Sequence, residues 1–183
     1  HPFSVGGLQR STDTQNYIDK FYLDFEEIKQ FGLDALIITG ANVATPILVD
    51  QDFWSPLQEV FAWALDNVTS TLCSCLATHA LLKMLYDIDR RELDQKCWGV
   101  FHHVLKQPNH PILKDINTRF DVPHSRNNGV DGTDLKSAGL SILVESVDGD
   151  VHMAVSPDQF RVVYLQGHPE YYTMSLLKEY KRE

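Results

Sequence analysis

Apolar positions along the chain switch between helical and extended spacing, and each switch predicts an element. From Tyr17, apolar residues recur at Ile18, Phe21, Tyr22, Phe25 and Ile28, the period of an amphipathic helix, and Gly32 closes it. Ala35-Leu36-Ile37-Ile38 is a short unbroken apolar run ended by Thr39-Gly40, which predicts a buried strand. A loop with Asn42, Pro46 and Asp50 follows. Trp54 to Leu65 returns to helical spacing, with Leu57, Val60, Phe61 and Ala64 on one face. Val68 to Cys73 is compact and β-branched, a second buried strand, and Leu76 to Tyr86 is helical. Trp98 to Leu105 predicts a strand, and Ile112 to Phe120 fits either element. Asp121 to Asp134, rich in Asn, Gly, Asp and Ser, reads as loop. Leu140–Glu145, Val151–Val155 and Phe160–Leu165 predict three more strands, with Asp148-Gly149-Asp150 turning between the first two. Tyr171 to Arg182 predicts a closing helix, and residues 1–16 an irregular lead-in.

Strand–helix alternation in the first half implies an α/β fold: three layers, a mostly parallel sheet and helices on both faces. The hairpin-like second half adds antiparallel strands. The 183 residues fit one domain, 1–183. The opening His1-Pro2-Phe3 lacks a Met, and Lys178 to Glu183 stops within a predicted helix, so both ends read as trimmed.

Composition narrows the function classes. Hydrophobic residues make up 43% and charged residues 22%, ordinary for a globular chain. No apolar run approaches the roughly 18 residues that span a membrane, and the start resembles neither a signal nor a transit peptide. The net charge of −9 argues against a nucleic-acid partner, which needs a basic surface. Three cysteines, Cys73, Cys75 and Cys97, form no disulfide framework and point to a reducing, cytoplasmic compartment.

The candidate chemistry centres on Cys75. It stands where the strand ending near Cys73 turns into the helix starting near Leu76, a place that lifts a nucleophile above the sheet. The helix N-terminus there favours a thiolate, the reactive form. A lone cysteine is more often a small buried apolar residue, which is how Cys73 and Cys97 read. A cysteine nucleophile needs a base and an orienter, and Gly167-His168-Pro169-Glu170 follows directly on a predicted strand. His168 is placed to take the thiol proton and Glu170 to hold the imidazole. The neighbours His102 and His103 point to opposite faces of a strand, and with His110 they lack a supporting metal-ligand spacing. No metal site is expected.

Several segments occur in order: Thr39-Gly40-Ala41-Asn42; Asn67-Val68-Thr69-Ser70-Thr71-Leu72 leading to Cys75; Trp98-Gly99-Val100-Phe101; Pro123-His124-Ser125-Arg126; and Gly167-His168-Pro169-Glu170-Tyr171. Together they resemble the homoserine O-succinyltransferase/O-acetyltransferase family over nearly the whole chain. The resemblance implies a class I glutamine-amidotransferase-like (flavodoxin-like) fold and a cytoplasmic homodimer working in methionine biosynthesis. It implies a ping-pong reaction in which acyl-CoA acylates a thiol and L-homoserine takes the acyl group on its hydroxyl, with no cofactor beyond that co-substrate. Cys75, His168 and Glu170 match nucleophile, base and orienter. Lys96 and Ser125 match substrate-site residues, and Arg182 matches the arginine that holds the amino-acid carboxylate, a task that suits a bidentate guanidinium. The amides of Leu76 and of the Gly40–Asn42 turn, Ala41 included, are the expected oxyanion donors. Ala44 occupies the donor-specificity position, where a small residue goes with succinyl and Glu with acetyl.

The chain departs from the family pattern. Leu76-Ala77 replaces a Trp-Gly pair, Cys73 replaces a frequent His, and His79 replaces a Gln. The losses break the glycine-flanked pattern of true glutamine amidotransferases. Serine as acceptor, a thiol amidase or glutaminase on the same fold, and a binding protein without activity stand as the alternatives.

Overall fold

The computed structural model describes residues 1–41, 43, 45 and 47–181. The chain divides into two compact units, one of residues 1–36 and 47–71, the other of residues 37–46 and 72–183.

In the first unit the predicted helix from Tyr17 is two helices, α1 (Thr12–Phe21) and α2 (Phe25–Phe31). The break has a local cause. Asp24 caps α2 through Glu26 N–H, while the Glu27 carboxylate accepts from Asp24 N–H, a reciprocal pair that starts a new helix against the apolar periodicity. Ser11 caps α1 in the stretch read as lead-in. Helix α3 (Trp54–Asn67) buries Leu57, Val60, Phe61 and Ala64, the face its spacing predicts. Phe25 meets Trp63 edge-on at 5.6 Å, and Lys29 bridges Glu26 and Glu59.

Strands β1 (Ala35–Ile38) and β2 (Ser70–Ser74) carry the chain from the first unit into the second. Helix α4 (Leu76–Tyr86) follows, then β3 (Arg91–Leu105), β4 (Arg119–Gly129), the short helix α5 (Gly132–Ser137), β5 (Ser141–Ser146), β6 (Val151–Val155), β7 (Val162–Leu165) and helix α6 (Ser175–Tyr180). A 3-10 turn at Pro111–Leu113 sits between β3 and β4. The sheet order is β1-β2-β7-β6-β5-β3-β4.

The α/β architecture matches the expectation, but the sheet is mixed rather than mostly parallel: β4–β3, β3–β5, β5–β6 and β6–β7 all pair antiparallel. Most of that difference lies in one ribbon. Residues 121–134 read as loop because of Pro123, Asn127, Asn128 and Gly129, yet 119–129 form β4, paired with β3 from Val104↔Arg119 to Arg91↔Gly129. A long partner strand supplies the ladder that local propensity does not. The register shifts between Glu92 and Cys97, a bulge that re-aims the residues inside it, Lys96 among them. Leu113, Leu143, Val144, Met153, Val155, Val163 and Leu165 form the buried cluster of this unit, with Leu72, Leu105, Ile112 and Phe120 packed on it. Among the described residues no helix is long and apolar enough to cross a membrane.

Candidate active site

Cys75 is the residue between β2 and α4, with φ 52° and ψ −114°. A non-glycine side chain carries a steric penalty at positive φ, and such residues persist where the surroundings over-determine them. The constraints are visible. Cys75 N–H donates to Leu165 O at 2.8 Å, and Ser74 Oγ lies 3.4 Å from Gly167 O. Thr78 Oγ1 stands 2.9 Å from Cys73 O and 2.8 Å from Leu165 O, and accepts Leu165 N–H at 3.1 Å. The turn into α4 is thereby tied to the end of β7, where the Gly167–Glu170 turn begins. A methyl group on Gly40 would come within 3.0 Å of Leu76 N and 3.1 Å of Cys75 Cβ, so the segment after β1 approaches the same turn closely.

Cys75 and His168 line the same cavity, and the sulfur acts electrostatically on the His168 ring. His168 Nδ1 meets Glu170 Oε1 at 2.8 Å. Burial opposes a charge on His168, but the Cys75 sulfur and the Glu170 carboxylate outweigh it and push the imidazole up to about 9. The arrangement favours an imidazolium at His168. Tyr171 stacks on the His168 ring at 4.2 Å, and its hydroxyl donates to Glu179. Burial, then the contact with Glu179, raises the Tyr171 phenol, so it stays protonated.

These groups line a cavity of about 580 Å³. Gly40, Ala41, Leu76, Lys96 and Ser125 line it too, so sequence-selected residues from the segment after β1, from α4, β3 and β4 meet the Cys75–His168–Glu170 set. The N-cap residue Cys75 makes no side-chain cap hydrogen bond, and the first turn of a helix presents amides suited to an anion. Lys96 comes from the β3 bulge, and Ser125 sits opposite Trp98 on β4. Asn42, Ala44 and Arg182 lie outside the described residues.

Sequence reading missed part of the wall. Arg90 is buried in the cavity lining and donates to the Val43 and Thr45 carbonyls, bracing the loop after β1. Burial lowers its guanidinium while the Cys75 sulfur opposes that shift, so a cation stands in the electrostatic reach of the nucleophile. Glu179 and Tyr171 also line the cavity. No spacing signal marks Arg90; Tyr171 had one, its place directly after Gly167-His168-Pro169-Glu170. His79 Nε2 donates to Gln166 Oε1 at 3.2 Å, and its Nδ1 has no partner among the described residues. Burial holds that imidazole down to about 3, so it stays neutral.

The other two cysteines are unsuited to nucleophilic work. Burial alone raises the Cys73 thiol far above its ordinary range, and burial is also the main cause raising Cys97. His102 pairs with Asp121 Oδ1 at 2.5 Å on the exposed side of β3, while His103 is buried on the other, as their alternation requires.

Solved structures similar to this chain share its fold. The glutaminase domain of Trypanosoma brucei CTPS with bound acivicin superposes with a TM-score of 0.64 at 14% identity, covering 100% of this chain and 93% of that one. A glutamine amidotransferase from Thermotoga maritima gives 0.60 at 15%, covering 96% and 66%. The fold is therefore glutamine-amidotransferase-like. Curated relatives named homoserine O-succinyltransferase are 58% identical over 183 residues in Methylobacter tundripaludum and 58% in Thiothrix nivea. Each aligns with all of this chain, which spans 52% and 51% of their lengths, about half. The family model described as homoserine O-succinyltransferase matches residues 1–183, and the chain belongs to that family.

Proposed function

We propose that this chain carries the acyl-transfer centre of a homoserine O-succinyltransferase. The observation that carries the reading is Cys75 in a strained turn, lining one cavity with a His168 ring that the Glu170 carboxylate holds at Nδ1. The Cys75 thiolate attacks the thioester carbonyl of succinyl-CoA. The first-turn amide of Leu76 and the amide of Ala41 face the oxygen as it becomes an anion. The tetrahedral intermediate collapses with loss of CoA thiolate, which takes the proton from His168. That leaves succinyl-Cys75 and a neutral imidazole. His168 then removes the hydroxyl proton of L-homoserine as its oxygen attacks the new thioester, and Cys75 departs as thiolate beside a recharged His168. Glu170 stabilises the imidazolium at both ends of the cycle.

Lys96 and Ser125 contact substrate in this scheme, and Arg182 pairs with the homoserine carboxylate. The relatives' activity as homoserine O-succinyltransferases favours succinyl over acetyl, as does the small Ala44. The glycines that flank a glutaminase nucleophile are absent, with Leu76-Ala77 in their place.

The test is intact-mass analysis of the chain mixed with succinyl-CoA alone, with acetyl-CoA as the parallel arm. A succinyl adduct lost in Cys75→Ala and discharged by L-homoserine supports the reading. No adduct, with ammonia released from glutamine, would replace it with a glutaminase.

A further inference from the structure

Behind the Gly167–Glu170 turn lies a cluster that acyl transfer does not use. His103 on β3, His124 on β4 and His152 on β6 are 1%, 2% and 5% exposed, and each offers a ring nitrogen within 4.8 Å of the others. Burial is the leading cause that lowers all three, and the Arg126 charge pushes the same way; His124 falls to about 2 and His152 to about 3. All three rings are neutral at working pH.

A neutral imidazole has one N–H and one lone pair, so neighbouring donors fix its tautomer. Arg126 Nε is a donor only, and it points at His124 Nδ1 from 3.3 Å. The His124 proton is therefore on Nε2, which faces His103 Nε2 at 3.3 Å. His103 must accept there, so its own proton is on Nδ1, bonded to Phe101 O at 2.8 Å. Separately, Gly167 N–H donates to His152 Nδ1 at 3.2 Å, which puts the His152 proton on Nε2.

Three buried neutral imidazoles also resemble a donor set for zinc. The hydrogen bonds oppose that use. A metal on Nε2 of His124 or His152 requires a proton on Nδ1, where Arg126 Nε and Gly167 N already donate. Arg126 also sets a positive charge beside the would-be dication.

What the rings do hold is the backbone that carries His168. His152 receives Gly167 N–H. His168 N–H donates to Pro123 O at 2.9 Å, one residue before His124. A methyl group on Gly167 would lie 2.5 Å from Val122 Cγ1 and 3.0 Å from His124 Cε1 and Nε2, so the turn packs against both side chains of β4. Arg126 locks the ring through Nε while its other nitrogens bind Asn128 O and Asp150.

We propose that His152 and His124 are positioning residues for His168: His152 by accepting Gly167 N–H, His124 as the neutral ring on which the turn sits. The proposal deepens the acyl-transfer reading and rests on Cys75 and His168 as the reacting pair. Loss of either support shifts His168 by a fraction of an ångström from the sulfur, and a displacement of that order lowers acylation by about 10–100-fold.

The experiment compares His152→Leu, His152→Asn and His152→Gln in the full chain. Asn places a carbonyl oxygen where Nδ1 stands, and Gln places it one bond too far. Two readouts are taken: acylation by succinyl-CoA, and the pH dependence of Cys75 alkylation by iodoacetamide, which needs no acyl donor. The expected result is that Leu and Gln slow alkylation at pH 6 about 10-fold and move its acid limb upward, while Asn restores both. If His152→Leu does not fold, the contrast between Asn and Gln decides. An alkylation profile unchanged in every folded variant, even with a lowered melting temperature, would reduce His152 to packing and overturn the proposal. Zinc at one per chain by elemental analysis would overturn it as well. Alkylation that follows the expected pattern in a protein that no acyl-CoA acylates would instead sink the acyl-transfer reading and leave the positioning role standing.

Discussion

Gly40 offers the sharpest test of the site's construction. A methyl group there would stand 3.0 Å from Leu76 N, 3.1 Å from Cys75 Cβ and 3.2 Å from Ser74 O. Comfortable contacts of this kind lie near 3.5 Å, so Gly40→Ala forces the two segments apart by about 0.4 Å. The crowded atoms are backbone and Cβ, and none can rotate away. Overpacking of this kind costs about 1–3 kcal/mol. For a chain of this size that lowers Tm by about 3–10 °C. The same displacement moves the segment of Ala41 away from the start of α4. A 1 Å error in a reacting geometry costs about 100-fold, so 0.4 Å predicts a loss near 10-fold in the first acylation. Rapid-quench intact-mass measurement of the Cys75 adduct reads the rate, and scanning fluorimetry reads Tm. Acylation within twofold of the parent, alongside a lowered Tm, would remove this turn from the oxyanion site. An unchanged Tm would show that the close approach itself is wrong.

Other consequences follow from the same atoms. His79, His124 and His152 are held neutral when folded, with folded values of about 3, 2 and 3. Their contribution is present above the unfolded value near 6.5 and is lost as pH falls. Because unfolding frees these rings to take up protons, stability falls as pH drops below about 6.5. Urea midpoints that do not fall from pH 7 to 5 would contradict the neutral cluster. His168 carries the opposite sign, because its folded value is raised to about 9. Its stabilisation is full below about pH 6.5 and fades toward 9, so His168→Gln should cost more stability at pH 6 than at pH 9.5 in paired denaturant titrations. Thr78→Val deletes the hydroxyl that serves Leu165 N–H and a buried carbonyl, which predicts a loss of about 1–3 kcal/mol. Thr78→Ser should recover most of it, and equal melting of the Val and Ser variants would show that the hydroxyl is dispensable.

Much of this protein is written in local pattern. Helix α4 begins and ends at Leu76 and Tyr86, as its spacing requires, because its apolar residues repeat with the helical period over three turns. Cys75 and His168 are recognisable because each follows a strand, and strand ends are where an α/β fold presents chemistry. Strand β4 is not recognisable: its Pro and Asn residues carry turn propensity, and only the ladder from β3 holds them extended. The split between α1 and α2 turns on Asp24 and Glu27, two polar residues that the apolar period passes over. Arg90 and Glu179 carry no spacing signal, since the site they join is assembled from residues tens of positions away along the chain. Periodicity reports which face of an element is apolar, a property of neighbours. The meeting of Cys75 with His168, and the fixing of a proton on each buried ring, depends on hydrogen bonds whose two ends come together through the packing of the whole sheet.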